Sequence, residues 1–142
     1  MLTTSPSLLI TDDDLAFRET LQDVLEPLGV RTLLAADGEE ALRIVHQQEV
    51  HLVLLDMHMP RLTGLETLRL VKQFKAILPC ILLSAELDEW IVEQARLARA
   101  FSVLRKPVTR RQITGAVTQA LQRTYNWQVH LRSGFDRKGR ES

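Results

Sequence analysis

The segment Leu52-Val53-Leu54-Leu55-Asp56 decides the fold, because it is an uninterrupted apolar run that ends on a carboxylate. A strand that is apolar at every position is typical of a parallel sheet covered by helices on both faces. A carboxylate directly after such a run is costly to bury unless something neutralises it. Because a loop that reaches Pro60 follows, Asp56 has no helix of its own to cap. Asp56 is therefore the first candidate for chemistry.

Four further apolar runs repeat this pattern along the chain. With the first run, they predict strands at residues 8–11, 32–35, 52–55, 80–83 and 103–105. Amphipathic segments separate these strands, and helix-capping residues precede them at Asp14, Asp37, Thr63, Asp88 and Thr109. Regular alternation of strands and helices predicts an α/β fold with a parallel sheet and right-handed crossovers.

The composition is that of one globular domain. The chain has 142 residues and no formal net charge, which argues against nucleic acid and acidic membrane surfaces as direct partners. No apolar run reaches the roughly 20 residues of a membrane span, and the single cysteine, Cys80, excludes an internal disulfide. We expect Cys80 to be buried and the protein to be cytoplasmic. Helical periodicity predicts a domain at residues 7–125 and a flexible C-terminal extension at residues 126–142.

Polar residues stand where the predicted strands end. Asp12 and Asp13 follow the first strand, Asp56 the third, Ser84 the fourth and Lys106 the fifth. In an open parallel sheet, ligands bind beyond the carboxyl ends of the strands, where the strand order reverses. With the order 2-1-3-4-5, the first and third strands are neighbours, and this order brings the three carboxylates together.

Three carboxylates this close are tolerable only if they are neutralised or if one of them is protonated. Oxygen ligands without a His or Cys cluster suit a hard cation such as Mg²⁺, and a lysine beside them suits an anion bound to that cation. Each residue also has a simpler interpretation, because a strand-end aspartate often caps a helix and most lysines are solvated. The joint spacing, and no single residue, predicts phosphoryl chemistry on a carboxylate.

These motifs match a known family. In chain order they are residues 12–14, the segment 54–60 with Gly64, the pair Ser84-Ala85 and the pair Lys106-Pro107. Together they resemble the receiver domain of two-component response regulators, over roughly residues 7–124. The resemblance implies a three-layer, flavodoxin-like (βα)5 fold with strand order 2-1-3-4-5. It also implies a cis peptide bond between Lys106 and Pro107.

The resemblance implies a metal site as well. Asp13 and Asp56 would bind Mg²⁺ directly, or Mn²⁺ in its place, and the backbone carbonyl of His58 would be the third protein ligand. Asp12 would act mostly through metal-bound water. The chain's own residues would then carry the phosphoryl transfer.

In that reaction, Asp56 would be the phospho-acceptor and a phosphohistidine of a sensor histidine kinase would be the donor. Ser84 would hydrogen-bond the new phosphoryl oxygen, and Lys106 would pair with it. Such a protein is not a dedicated enzyme, although it catalyses its own phosphorylation and dephosphorylation. Its output would be contact with a downstream protein target. A homodimer through the fourth helix, fifth strand and fifth helix is a further expectation.

Four positions depart from the family pattern. Thr63 replaces the usual Asp but still caps a helix, and Ser84 replaces Thr with the hydroxyl kept. Val103 stands where a Tyr or Phe usually reports phosphorylation, which puts the usual switch in question. Arg99 stands where a Gly usually ends the fourth helix, so we expect that helix to end differently.

Further expectations concern the histidines, Glu86 and Trp90. We hypothesise that His58 and Glu86 flank the phosphoryl group and set its hydrolysis rate. His46 and His51 are predicted to lie on the surface beside the second helix. Trp90, on the fourth helix, is either part of an interface or partly buried.

Three alternatives remain to be separated. A receiver-like module that docks partners without accepting phosphate would tolerate Val103, although the intact acidic residues argue against it. A phosphatase with an aspartate nucleophile would need a second aspartate two residues after Asp56, where His58 stands. A flavodoxin proper is disfavoured, since the acids at residues 12–14 would repel FMN.

Overall fold

The structure, a computed structural model, describes residues 2 and 4–129 and contains a central parallel sheet. The strands are β1 (Ser7–Thr11), β2 (Arg31–Ala35), β3 (Leu52–Asp56), β4 (Cys80–Ser84) and β5 (Ser102–Arg105). The helices are α1 (Leu15–Leu25), α2 (Gly38–Gln47), α3 (Gly64–Phe74), α4 (Glu89–Leu97) and α5 (Arg110–Tyr125). The strand order is β2-β1-β3-β4-β5 and every pairing is parallel, which confirms the predicted fold.

Helices cover the sheet on both faces, which explains why its inner strands are continuous apolar runs. Successive side chains of a strand point to opposite faces. Leu9 accordingly packs in a core cluster with α2, α3 and α4, whereas Leu8 and Ile10 pack in a second cluster with α1 and α5. Each such leucine or isoleucine contributes about 1.5–3 kcal/mol through burial. Cys80 is buried in the first cluster, as predicted.

All five helices begin at the predicted caps. The side chains of Asp14, Asp37, Thr63, Asp88 and Thr109 each accept a hydrogen bond from a backbone N–H in the first turn. The caps of α3 and α5 are reciprocal, because Glu66 and Gln112 return a bond to the cap backbone. Caps of this kind contribute about 1 kcal/mol each, and they fix where each loop at the carboxyl end of the sheet stops.

The ends of α1 and α4 each lead into a left-handed residue. Helix α1 stops at Leu25, and a short 3-10 turn (Glu26–Leu28) carries the chain to Gly29, which has a left-handed conformation. Pro27 lies in that turn and cannot continue the hydrogen-bonding of the helix. After α4, Arg99 adopts a positive φ of 65°, so an arginine occupies the left-handed position that glycine usually takes.

The prediction for His51 was wrong, because its side chain is buried. His51 precedes β3 and is 7% exposed, and its Nδ1 accepts a hydrogen bond of 2.8 Å from the backbone N–H of Ser7. The Tyr125 hydroxyl donates to the His51 carbonyl oxygen at 2.8 Å, and the two rings pack edge to face. This junction joins the amino ends of β1 and β3 to the end of α5. His46 is exposed, as predicted.

The start of the predicted extension packs on the domain. Trp127 is 6% exposed and belongs to the core cluster beneath α1 and α5. The remainder of the predicted extension, residues 130–142, lies outside the described residues. Within residues 2 and 4–129, no helix is both long and apolar enough to span a membrane.

Candidate functional site

The reversal of strand order between β1 and β3 brings the predicted acids together. Asp12 follows β1 and Asp56 ends β3, and these two carboxyl groups are buried whereas Asp13 beside them is exposed. One carboxylate oxygen from each of the three residues lies within 4.8 Å of the others. Carboxylates with no His or Cys among them are the ligands that Mg²⁺ prefers. The geometry therefore fits the predicted metal site.

Lys106 supplies a positively charged ammonium group to the site. Its Nζ lies 2.8 Å from Asp12 Oδ2 and 2.9 Å from Asp56 Oδ1, so one ammonium bridges two buried carboxylates. Its backbone N–H donates to the carbonyl oxygen of Ser84 at 2.8 Å, which places it at the end of β4. The peptide bond to Pro107 is cis, as predicted.

Opposing effects act on the pKa values of Asp56 and Lys106. Burial raises the pKa of Asp56 above its ordinary value, and the negative charge of Asp12 adds to the rise. Lys106 and the backbone N–H of His58 oppose it, because they favour the charged carboxylate. Burial lowers the pKa of Lys106, but its bonds to both aspartates outweigh burial and leave that pKa above its ordinary value.

Two neighbours of the site were not found from the sequence. The ring of Phe17 lies under the ammonium of Lys106, with Nζ 4.3 Å from the ring centroid. The guanidinium of Arg18 donates to the backbone carbonyl of Asp12 at 2.6 Å, and Asp12 Oδ1 accepts from the Asp14 N–H at 2.9 Å. Helical spacing places both residues on the first turn after Asp14, but nothing in the spacing indicates which of them faces the site.

The loop after Asp56 is held close to the sheet. Gly64 donates its N–H to the carbonyl oxygen of Met57 at 2.9 Å, and a Cβ on Gly64 would lie 2.3 Å from the carbonyl oxygen of Asp56. Only glycine allows this approach. Arg61, at a positive φ of 68°, pairs with Asp37 at the start of α2. The loop that carries the exposed His58 is thus fixed at both ends.

The remaining predicted residues lie at the end of β4 and beside it. Ser84 is fully buried, and its hydroxyl donates to the carbonyl oxygen of Glu86 and accepts from the Glu86 N–H. Its hydroxyl is therefore engaged by its own loop. Glu86 is exposed on that loop, and Val103 is partly buried next to Leu82 in the register of β4 and β5.

The fold and the acid cluster agree with the comparison with known proteins. The family model of the response regulator receiver domain matches residues 8–118. The chain belongs to the response regulator receiver family. The family predicted from the motifs is therefore confirmed, and this receiver is a domain of the kind used in two-component systems.

Relatives of this receiver include a protein of similar length and longer proteins in which the match covers only part of the chain. The probable chemotaxis protein CheY of Rhizobium etli is 35% identical over 114 residues, which cover 77% of this chain and 87% of that protein. The alkaline phosphatase synthesis transcriptional regulatory protein PhoP of Bacillus subtilis is 30% identical over 117 residues, covering 82% of this chain and 49% of that protein. The receiver thus spans about half the length of such transcriptional regulators.

Solved structures give the same fold. A response regulator receiver domain protein from Clostridium thermocellum has a TM-score of 0.78 and 31% identity to this receiver. The match covers 83% of this chain and 95% of that chain.

Proposed function

We propose that this receiver accepts a phosphoryl group on Asp56 from the phosphohistidine of a sensor histidine kinase, in a reaction that depends on Mg²⁺. The observation that supports this proposal is the Lys106 ammonium, which lies within 2.9 Å of carboxylate oxygens of both Asp12 and Asp56. Asp13 lies beside this pair. Because the carboxylates outnumber the cations here, the cluster suits a divalent ion and, with that ion, an incoming dianion.

The metal would be held by the acid cluster. We propose Asp13, Asp56 and the backbone carbonyl of His58 as direct ligands, with Asp12 acting through water. The donor set consists only of oxygen atoms, which supports Mg²⁺ as the metal. Mn²⁺ takes similar ligands and could replace it. When bound, the ion supplies charge neutralisation between the nucleophile and the phosphoryl group.

The protein side chains would promote phosphoryl transfer through their positions and charges. A carboxylate oxygen of Asp56 attacks phosphorus, the bond from phosphorus to the donor imidazole breaks, and the imidazole keeps that electron pair. The transition state is loose, with charge on the equatorial oxygens. Lys106, already beside the nucleophile, would pair with that charge. Ser84 would exchange its bond to the Glu86 carbonyl for one to a phosphoryl oxygen.

The movement of Ser84 would carry the signal to a protein surface. Its hydroxyl ties the loop that leads into α4, so a new bond to phosphate would pull that loop inward. Trp90 on α4 is 61% exposed, which supports a protein interface over partial burial at that position. We propose that the face formed by α4, β5 and α5 contacts a downstream protein or a second copy of the chain. Because Val103 in β5 has no aromatic ring, the response to phosphorylation would rely on movement of the loop between β4 and α4.

The test is incubation of the full chain with Mg²⁺ and a small phosphodonor such as acetyl phosphate, followed by intact-mass measurement. We expect the gain of one phosphoryl group, and none with Asp56→Asn or with a chelator present. Phosphorylation of the Asp56→Asn variant to the same extent would contradict the assignment of the acceptor. Absence of any phosphorylation, with folding intact, would favour the docking module that binds partners without phosphate.

A second test concerns the lifetime of the phosphoryl group. We propose that His58 and Glu86, both exposed on loops beside Asp56, set the rate of hydrolysis. Replacing both with alanine should change the half-life of the phosphoprotein. The control replaces an exposed pair far from the site, His46 and Glu49, and should leave the half-life unchanged. Equal half-lives in the two double variants would refute the hypothesis.

The proposed phosphoryl donor, a sensor histidine kinase, also indicates where in the cell this receiver acts. A sensor kinase that carries its phosphohistidine on the cytoplasmic side of a membrane would meet this receiver in the cytoplasm, which is where we propose that it acts. Fractionation of cells expressing the full chain would test this placement, and recovery on the far side of the cytoplasmic membrane or in the medium would contradict it.

A further inference from the structure

A polar pocket lies where the C-terminal ends of α3 and α4 meet, at the amino end of the sheet and away from Asp56. Its volume is about 280 Å³. Its lining residues are Arg69, Lys72, Gln73, Leu97, Ala98 and Arg99. Three of these residues carry a positive charge and none carries a carboxylate. The positive charge at the pocket is therefore not neutralised by any lining residue.

Arg99 occupies an unfavourable backbone conformation at this pocket. Its φ of 65° is left-handed, and a residue with a Cβ loses roughly 1–2 kcal/mol there relative to the right-handed form. Glycine would avoid that cost. Within the described residues Arg99 forms no ion pair, whereas Arg96, one turn earlier, pairs with Glu93 at 2.7 Å. The helix end therefore does not require the arginine, and no acidic partner explains it.

Lys72 and Arg69 are held in place by other groups. The Lys72 Nζ donates to the carbonyl oxygens of Leu78 at 2.7 Å and Ala76 at 3.2 Å. An ammonium has three donors, so one remains. Burial lowers the pKa of Lys72; Cys80 opposes this effect, and the nearby charge of Arg99 adds to it. Arg69 donates through Nη2 to Gln94 at 2.8 Å, which fixes its guanidinium against α4.

We propose that this pocket binds a phosphate group through Arg69, Lys72 and Arg99. A phosphate monoester carries about −1.5 to −2 charges at neutral pH, so it matches three cations that line one pocket better than a single carboxylate does. Guanidinium groups bind phosphate oxygens in pairs, and an ammonium adds a point charge. The volume suits a compact group, because pockets for larger ligands start at roughly 300 Å³. The site is independent of Asp56 and of the function proposed for it.

The first experiment is a titration of the full chain with inorganic phosphate, followed by ¹H–¹⁵N correlation spectra. It uses the Asp56→Asn variant with a chelator and without Mg²⁺, so that the acid cluster takes no part. Sodium chloride keeps the ionic strength constant. We expect saturable shifts confined to residues 69–73 and 96–100. Shifts that chloride alone reproduces, or that never saturate, would overturn the proposal.

Variants of Arg99 separate binding from folding. Arg99→Gly and Arg99→Asn should weaken phosphate binding about tenfold or more, because a charge-assisted hydrogen bond is lost. Both should keep or raise the melting temperature, since Gly and Asn tolerate the left-handed conformation. Arg99→Lys should retain part of the affinity. The control Arg123→Asn, exposed on α5 and outside the pocket, should bind as tightly as the parent. Unchanged affinity in Arg99→Asn would refute the site.

Further titrations distinguish the chemistry and the source of the group. Citrate tests carboxylates, and binding as tight as that of phosphate would contradict a phosphate site. Phosphoserine tests a phosphorylated side chain. Tighter binding of phosphoserine than of inorganic phosphate would indicate a phosphorylated protein segment, and equal binding would indicate a small phosphorylated molecule.

Discussion

The carboxyl and amino ends of the central sheet both bury polar side chains, but they stabilise them in different ways. At the carboxyl end, Asp12 and Asp56 are 2% and 5% exposed and share the single ammonium of Lys106. At the amino end, the ring of His51 accepts from a backbone N–H and its carbonyl accepts from the Tyr125 hydroxyl. The carboxyl end buries more negative than positive charge, whereas the junction around His51 buries neutral groups that are hydrogen-bonded.

The difference separates a site from a structural junction. A buried polar group with neutral hydrogen-bond partners costs little and stabilises the arrangement of the elements that it joins. Buried carboxylates that exceed their cations reduce stability, and they persist where binding of a cation offsets the cost. We therefore expect the two ends to respond differently to substitution, to Mg²⁺ and to pH.

The largest effect should follow removal of the shared cation. Lys106→Met leaves Asp12 and Asp56 adjacent without their ammonium, and loss of one partner of a buried charge cluster costs about 3 kcal/mol. Urea unfolding in chelator measures the change. Added Mg²⁺ should restore more stability to this variant than to the parent chain. A variant as stable as the parent without metal would show that the acids need no compensation.

A methyl group at Gly64 should disturb the same end of the sheet through sterics alone. The new Cβ would lie 2.3 Å from the Asp56 carbonyl oxygen, so the backbone must shift, at a cost of about 2 kcal/mol. Gly64→Ala should also slow phosphorylation by acetyl phosphate, because Asp56 moves. Retention of both stability and phosphorylation rate would mean that the loop adjusts without moving the acceptor.

At the amino end, the expected effect is smaller and depends on pH. Burial lowers the pKa of His51 below its ordinary 6.5; the charge of Glu49 opposes this effect, and the charges of Lys75 and Arg31 reinforce it. The unfolded chain then binds more protons than the folded chain as the pH falls below about 6.5, so stability decreases in that direction. His51→Asn keeps an acceptor for the Ser7 N–H but does not titrate.

The measurement is urea unfolding of the parent and His51→Asn between pH 8 and pH 5.5. At pH 8 the variant should lose about 1 kcal/mol, the scale of one imperfect hydrogen bond. The gap between the two proteins should narrow as the pH falls, because only the parent has the histidine. A gap that is constant over this range would contradict a buried, neutral imidazole.

The smallest effect should be a gain of stability away from both ends. Gly115 lies within α5, and a Cβ there would have no heavy atom within 4 Å. Gly115→Ala should raise stability by about 0.5–1 kcal/mol through helix propensity. Thermal unfolding measures it. This variant is also the control for Gly64→Ala, since the same substitution should change sign where the carbonyl of Asp56 is close. If both Gly115→Ala and Gly64→Ala destabilised the protein, the expected difference in sign between the two positions would be wrong.

Patterns local in sequence were predicted well. The apolar runs that end at Asp12 and Asp56 and the cap residues at Asp14 and Thr63 appear in the structure where the sequence places them. Burial on both faces demands apolar residues at every strand position, and caps act within three residues, so both leave a local signal. The end of α4 was predicted less well, because the local rule that favours glycine was overridden at Arg99.

The sequence by itself determined that this chain alternates strands and helices and that carboxylates and a lysine stand at the strand ends, since each feature depends on near neighbours in the chain. Only the tertiary structure decided that one ammonium bridges Asp12 and Asp56 and that His51 is buried. The physical reason is that these contacts join residues on different strands and loops. Their distances are set by how helices pack on the sheet, which no periodicity of the chain encodes.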